Sequence, residues 1–118
     1  MLQINFMKSF INALRSRGWV LQKIRGYGDL SISILERINK KLLIVESINV
    51  DMIGSKQPQV EAFFLRLIDI LKNCKANEII FQGGGEIEIP YFFISFCKEH
   101  DIEIKILTVD TIHEINNY

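Results

Sequence analysis

Between Asp29 and Glu46 the hydrophobic rhythm of the chain leaves little choice of local structure. Leu30, Ile32 and Ile34 alternate with Ser31 and Ser33, and Asp29 opens the run in phase with the serines. Period two with one polar face is the pattern of a half-buried antiparallel strand. The polar stretch Glu36-Arg37-Ile38-Asn39-Lys40 reads as a turn. Leu42 to Val45 is then a continuous apolar run, as in a central strand buried on both faces, and it closes on Glu46. Two strands joined by so short a turn pair antiparallel. The acid that opens the first and the acid that closes the second are therefore expected at one end of the hairpin. Two convergent carboxylates beside the bend Gly26-Tyr27-Gly28 have the chemistry to hold a divalent metal.

The flanking segments change period. Phe6, Met7, Phe10, Ile11 and Leu14 recur at three- and four-residue intervals, so residues 3–17 are expected to be an amphipathic helix ended by Gly18. Trp19 to Arg25 reads as a strand of imperfect alternation, leading into the bend. Trp19 and Tyr27 flank that bend, where a half-buried role is expected and base stacking is the alternative. After the polar segment 47–56, Pro58 suits the first turn of a helix running to about Cys74 on the stripe Val60, Phe63, Phe64, Leu67, Ile68 and Leu71. Glu78 to Gln82 is a short strand with a buried centre. Pro90 starts a helix with Phe92, Phe93, Phe96 and Cys97 inward, and Ile102, Ile104 and Ile106 alternate with Glu103 and Lys105 in a last strand. Asp110 is placed to cap a short final helix through Ile115.

The resulting order is α-β-β-β-α-β-α-β. Hairpin links make the first three strands antiparallel, and helical links make the later ones parallel to their neighbours. The expected fold is therefore α/β, one mixed central sheet with helices on both faces. A chain of 118 residues suits a single domain, 1–118, and its apolar fraction of 48% suits a packed core.

Composition narrows the function classes. No apolar run is long enough to span a bilayer and no signal-peptide core is present, so no membrane partner is expected and the cytoplasm is the expected compartment. Cys74 and Cys97 fall in apolar helical patterns and are expected as reduced, buried thiols. His100 and His113 have no zinc spacing around them. The formal net charge is zero, but it is unevenly distributed. Lys8, Arg15, Arg17, Lys23, Arg25, Arg37, Lys40 and Lys41 precede position 42, against only Asp29 and Glu36. That asymmetry points to a polyanion-facing side or to a solvated surface.

Gly28-Asp29, the polar turn and the apolar strand ending in Glu46, together with the order of elements over residues 3 to about 82, resemble the PD-(D/E)XK, or restriction-endonuclease-like, superfamily. Archaeal Holliday-junction resolvases look especially similar. The resemblance implies a restriction-endonuclease-like fold, Mg²⁺ held by Asp29 and Glu46 as metal-binding and catalytic residues, and a nucleic acid substrate. Arg15, Arg17, Lys23 and Arg25 are then the candidate contacts to its backbone. The family's lysine two residues after the glutamate is absent, since Ile48 stands there. Lys41 or Lys56 would have to replace it in space. A second resemblance is to the first motif of Toprim domains in Lys41 to Asp51, but the two aspartates expected after the following strand are missing, with Glu86 the nearest acid. Gly83-Gly84-Gly85 lacks the spacing of phosphate loops and reads as a tight connection. The remaining alternative is a catalytically inactive assembly or regulatory module. The large apolar residues around the Phe92–Phe96 helix leave room for a homo-oligomer or another protein partner.

Overall fold

The computed structural model describes residues 10–27, 30–47, 57–82, 89–107 and 109–118. They form an α/β arrangement around a five-stranded mixed sheet ordered β1-β2-β3-β4-β5. Residues 10–16 are helical (α1), followed by β1 (Val20–Tyr27), β2 (Leu30–Arg37) and β3 (Lys40–Ser47). Next come α2 (Gln57–Cys74), β4 (Glu78–Gln82), α3 (Tyr91–Glu99), β5 (Glu103–Leu107) and a 3-10 helix, Val109–Asn117. β1, β2 and β3 pair antiparallel, whereas β3, β4 and β5 run parallel, as the hairpin and helical links require.

Each strand sends alternate side chains to opposite faces, and the core divides accordingly. On one face Ile32, Leu43, Val45, Ile79 and Phe81 pack under Phe64, Leu67 and Leu71 of α2 and Phe93 and Cys97 of α3. The rings of Phe64, Phe81 and Phe93 form a triangle with centroids 5.0, 6.0 and 6.1 Å apart. On the other face Leu35, Leu42, Ile44, Ile80 and Leu107 meet Phe10 and Leu14 of α1, Trp19 and Tyr118.

Several local expectations are corrected. Of the bend expected at Gly26-Tyr27-Gly28, Gly26 and Tyr27 are strand, because the β1–β2 ladder continues to Gly26↔Ser31 and Tyr27↔Leu30, and Gly28 lies outside the described residues. The uneven alternation of β1 has its cause in a register shift between Leu21 and Lys23, where an extra residue breaks the period. Ser33, expected on a solvated polar face of β2, is instead buried. Trp19 is buried rather than half-buried, and it precedes β1. On α3, Phe93 and Cys97 face the core, but Phe92 is 37% exposed. A step of about 100° per residue carries it off the stripe. Asp110 does not precede the last helix but is its second residue.

Two helix ends share a geometry with different residues. At the end of α1, Trp19 N–H bonds to Leu14 O at 3.1 Å and Gly18 N–H to Arg15 O at 3.1 Å, with Gly18 at φ 94. At the end of α3, Ile102 N–H bonds to Cys97 O at 2.8 Å and Asp101 N–H to Lys98 O at 3.4 Å, with Asp101 at φ 55. Both are Schellman caps, the first with the glycine that such a cap favours and the second without.

Candidate functional site

The parallel strands β3, β4 and β5 define two rims. At the carboxyl rim β3, β4 and β5 end and β2 begins, because Leu30 pairs with Ser47. A single row crosses the sheet there: Ser31 opposite Glu46, Glu46 beside Gln82, and Gln82 beside Leu107. Directly opposed residues of an antiparallel pair have Cα atoms about 4.5–5.5 Å apart. In open α/β sheets ligands bind outside the carboxyl ends of the strands. Gln82 brings a buried carboxamide to this row and Ser33, one step inward, a buried hydroxyl.

Of the residues named from the sequence, Glu46 has its backbone in this row, and its side chain lies outside the described residues. Asp29, between the end of β1 and the start of β2 in the chain, also lies outside them, as do Ile48, Lys56, Gly83-Gly84-Gly85 and Glu86. Lys41 does not reach the site. It stands five residues before Glu46 on the same strand, about 17 Å away at the usual rise. Its backbone is fixed at the far rim by Asn77. Arg15 is exposed on α1 and lines an open depression with Asn12, Ser16, Trp19, Val20 and Leu21. Arg17 is exposed, and its Nη2 donates to Asn116 Oδ1 at 2.7 Å. Lys23 and Arg25 sit on the edge strand opposite Ile34 and Ile32, and their side chains are outside the described residues. Trp19 is not free to stack on a base. It is 2% exposed, the Arg37 guanidinium lies 4.7 Å from its ring centroid, and its Nε1 donates to Tyr118 O at 3.1 Å.

The amino rim holds a cluster that sequence reasoning missed. Tyr118 donates its hydroxyl in a short hydrogen bond to Glu78 Oε2, and both residues are buried. Burial raises the Glu78 carboxyl above its ordinary range, against the lowering effects of the Tyr118 hydroxyl and Lys40, while Glu103 adds to the rise. Burial, then the bond to Glu78, holds the Tyr118 phenol far above its ordinary value. The ammonium groups of Lys105 and Lys40 lie 5.2 and 5.8 Å from the Tyr118 ring centroid. One signal for Glu78 and Gln82 was available: they share the parity of Ile80, so a strand buried on both faces buries them too. Nothing in the pattern marks Tyr118.

Cys74 and Cys97 are both free thiols. Cys97 is buried, which pushes its thiol up to about 11, and burial also raises Cys74, which is half-buried. No described helix is long and apolar enough to cross a membrane. No protein-family model matches the chain, and no curated protein matches it.

Proposed function

We propose that this chain is a nucleic-acid-associated protein of restriction-endonuclease-like fold, a Mg²⁺-dependent nuclease or a relative that has lost cleavage. The observation that carries the reading is the β2–β3 register, in which Ser31 faces Glu46 and Leu30 faces Ser47. It brings the strand that Asp29 precedes in sequence against the end of the strand that carries Glu46. The order of one helix, three antiparallel strands, a helix and a parallel strand supports the same fold. The donor set of two carboxylates suits a hard cation, and Asp29 and Glu46 would hold it. When bound, Mg²⁺ supplies positive charge that acidifies water and stabilises phosphate oxygens. Exposed Arg15, beside Trp19 and Val20 near the opposite rim, would contact the phosphate backbone away from the metal.

Incubation of the purified chain with branched and linear DNA, with Mg²⁺ or Mn²⁺, tests the proposal. Cleavage lost in Glu46→Ala supports it, and cleavage that survives Glu46→Ala overturns the site. For a relative without cleavage, Mg²⁺ still raises the melting temperature of the native chain but not of Glu46→Ala.

A second reading, an assembly or regulatory module of the same fold, is favoured by exposed apolar side chains. Tyr91 is 83% exposed and Leu65 55%, with Phe92, Ile94 and Ile106 near 40%. The Toprim reading has less support, because it leaves the β1–β2 hairpin without a role.

A further inference from the structure

We propose that β5 is a homodimer interface, pairing antiparallel with β5 of a second copy around a two-fold axis at Ile104. β5 is an edge strand of the sheet. Glu103 N–H bonds inward to Asn77 O at 3.0 Å, so the alternation of backbone groups turns the N–H and C=O of Ile104 and Ile106 outward. The segment Ile102-Glu103-Ile104-Lys105-Ile106 is complementary to its own reverse. Antiparallel pairing centred on Ile104 sets Glu103 of each copy opposite Lys105 of the other and Ile102 opposite Ile106. A two-fold interface requires this self-complementarity.

The hydrogen bonding agrees with that register. Ile104 bonds to its counterpart in both directions, and Ile106 N–H reaches the carbonyl of Ile102 in the other copy. The Ile102 N–H is not needed, and it already bonds to Cys97 O at 2.8 Å. Glu103 and Lys105 then form the pair without backbone bonds, in which side chains approach most closely. Glu103 is exposed, and Lys105 is half-buried with its ammonium over the Tyr118 ring. On the opposite face Ile106 is 41% exposed. α3 runs opposite to β5, so its exposed first turn, with Tyr91 and Ile94, lies at the Ile106 end. The other edge, β1, is interrupted by its register shift and carries Lys23 and Arg25, features that blunt an edge against pairing.

The interface does not depend on nucleic acid binding, so a failed cleavage assay leaves it standing. Sedimentation of the full chain and its variants tests it. The native chain is expected to be a dimer at about 100 µM, and Glu103→Lys or Lys105→Glu alone to weaken dimerisation about tenfold or more. Mixing the two single variants is expected to give a mixed dimer tighter than either alone, and E103K/K105E to regain the native affinity. Ile106→Lys, which leaves both charges in place, is expected to give a folded monomer by circular dichroism. It keeps the test open should Lys105→Glu unfold the chain. A monomeric native chain, single reversals that leave the dimer intact, or no preference in the mixture would overturn the proposal.

Discussion

At the amino rim Trp19, Glu78 and Tyr118 are 2, 2 and 6% exposed and joined in one chain of hydrogen bonds. At the carboxyl rim the row from Ser31 to Leu107 contains Glu46 and a buried Gln82. The first rim fastens the last helix and the α1–β1 junction to the sheet, so its polar groups serve one another. The second gathers polar residues where strands end, the usual place for chemistry in such sheets. The contrast sets a rim whose polar groups pair with one another against the rim proposed to carry the site, and it is open to test by substitution.

Trp19→Ala strikes the closed rim hardest. It removes the indole that packs against Tyr118 and carries the Nε1 hydrogen bond, and is expected to cost about 3–5 kcal/mol in urea unfolding. Tyr118→Phe deletes only the hydroxyl and leaves Glu78 Oε2 without that donor, a loss of about 1–3 kcal/mol by the same measurement. Glu78 and Tyr118 both bind their protons more tightly folded than unfolded. Their contributions are therefore complete at low pH and are lost on raising it, from the ordinary 4.5 upward for Glu78 and from 10.0 upward for Tyr118. Urea midpoints across that range should fall, and Tyr118→Phe should remove the alkaline part of the fall.

The two Schellman caps sharpen the comparison at smaller scale. Gly18→Ala, near the closed rim, forces a side chain into φ 94 and should cost about 1–2 kcal/mol. Asp101→Gly relieves φ 55 and should gain about 0.5–1 kcal/mol. Both are read from thermal melts. The smallest change in stability is expected at the other rim: Glu46→Gln should move the melting temperature little without metal, yet abolish its rise with Mg²⁺. A loss comparable to that of Trp19→Ala would dissolve the contrast between the rims.

Much of this fold is legible in the sequence because each element buries a face. The stripe from Phe63 to Leu71 gave α2 its extent, the alternation of Leu30 to Ile34 gave β2, and the link types gave strand direction. Errors fell where tertiary contact overrides local pattern. Gly26 and Tyr27 are strand because β2 pairs with them, and Ser33 is buried although the alternation of β2 marks its face as polar. For the site, the pattern located Glu46 on β3, and the ladder supplied its neighbours Ser31 and Gln82. The Glu78–Tyr118 bond joins residues 40 apart and leaves no periodic trace. Lys41 does not stand in for the missing lysine, because distance along an extended strand grows with every residue.

Asn77 links segments that are far apart in the chain. Its side-chain oxygen accepts from Lys41 N–H at 2.7 Å, its N–H donates to Lys41 O at 2.9 Å, and its carbonyl accepts from Glu103 N–H at 3.0 Å. Lys41 and Glu103 are separated in the chain by α2, β4 and α3, so this knot closes only after both helical crossovers have docked. Its protected amides would report the completion of folding rather than its onset, and their exchange with solvent should open the beginnings of three strands together.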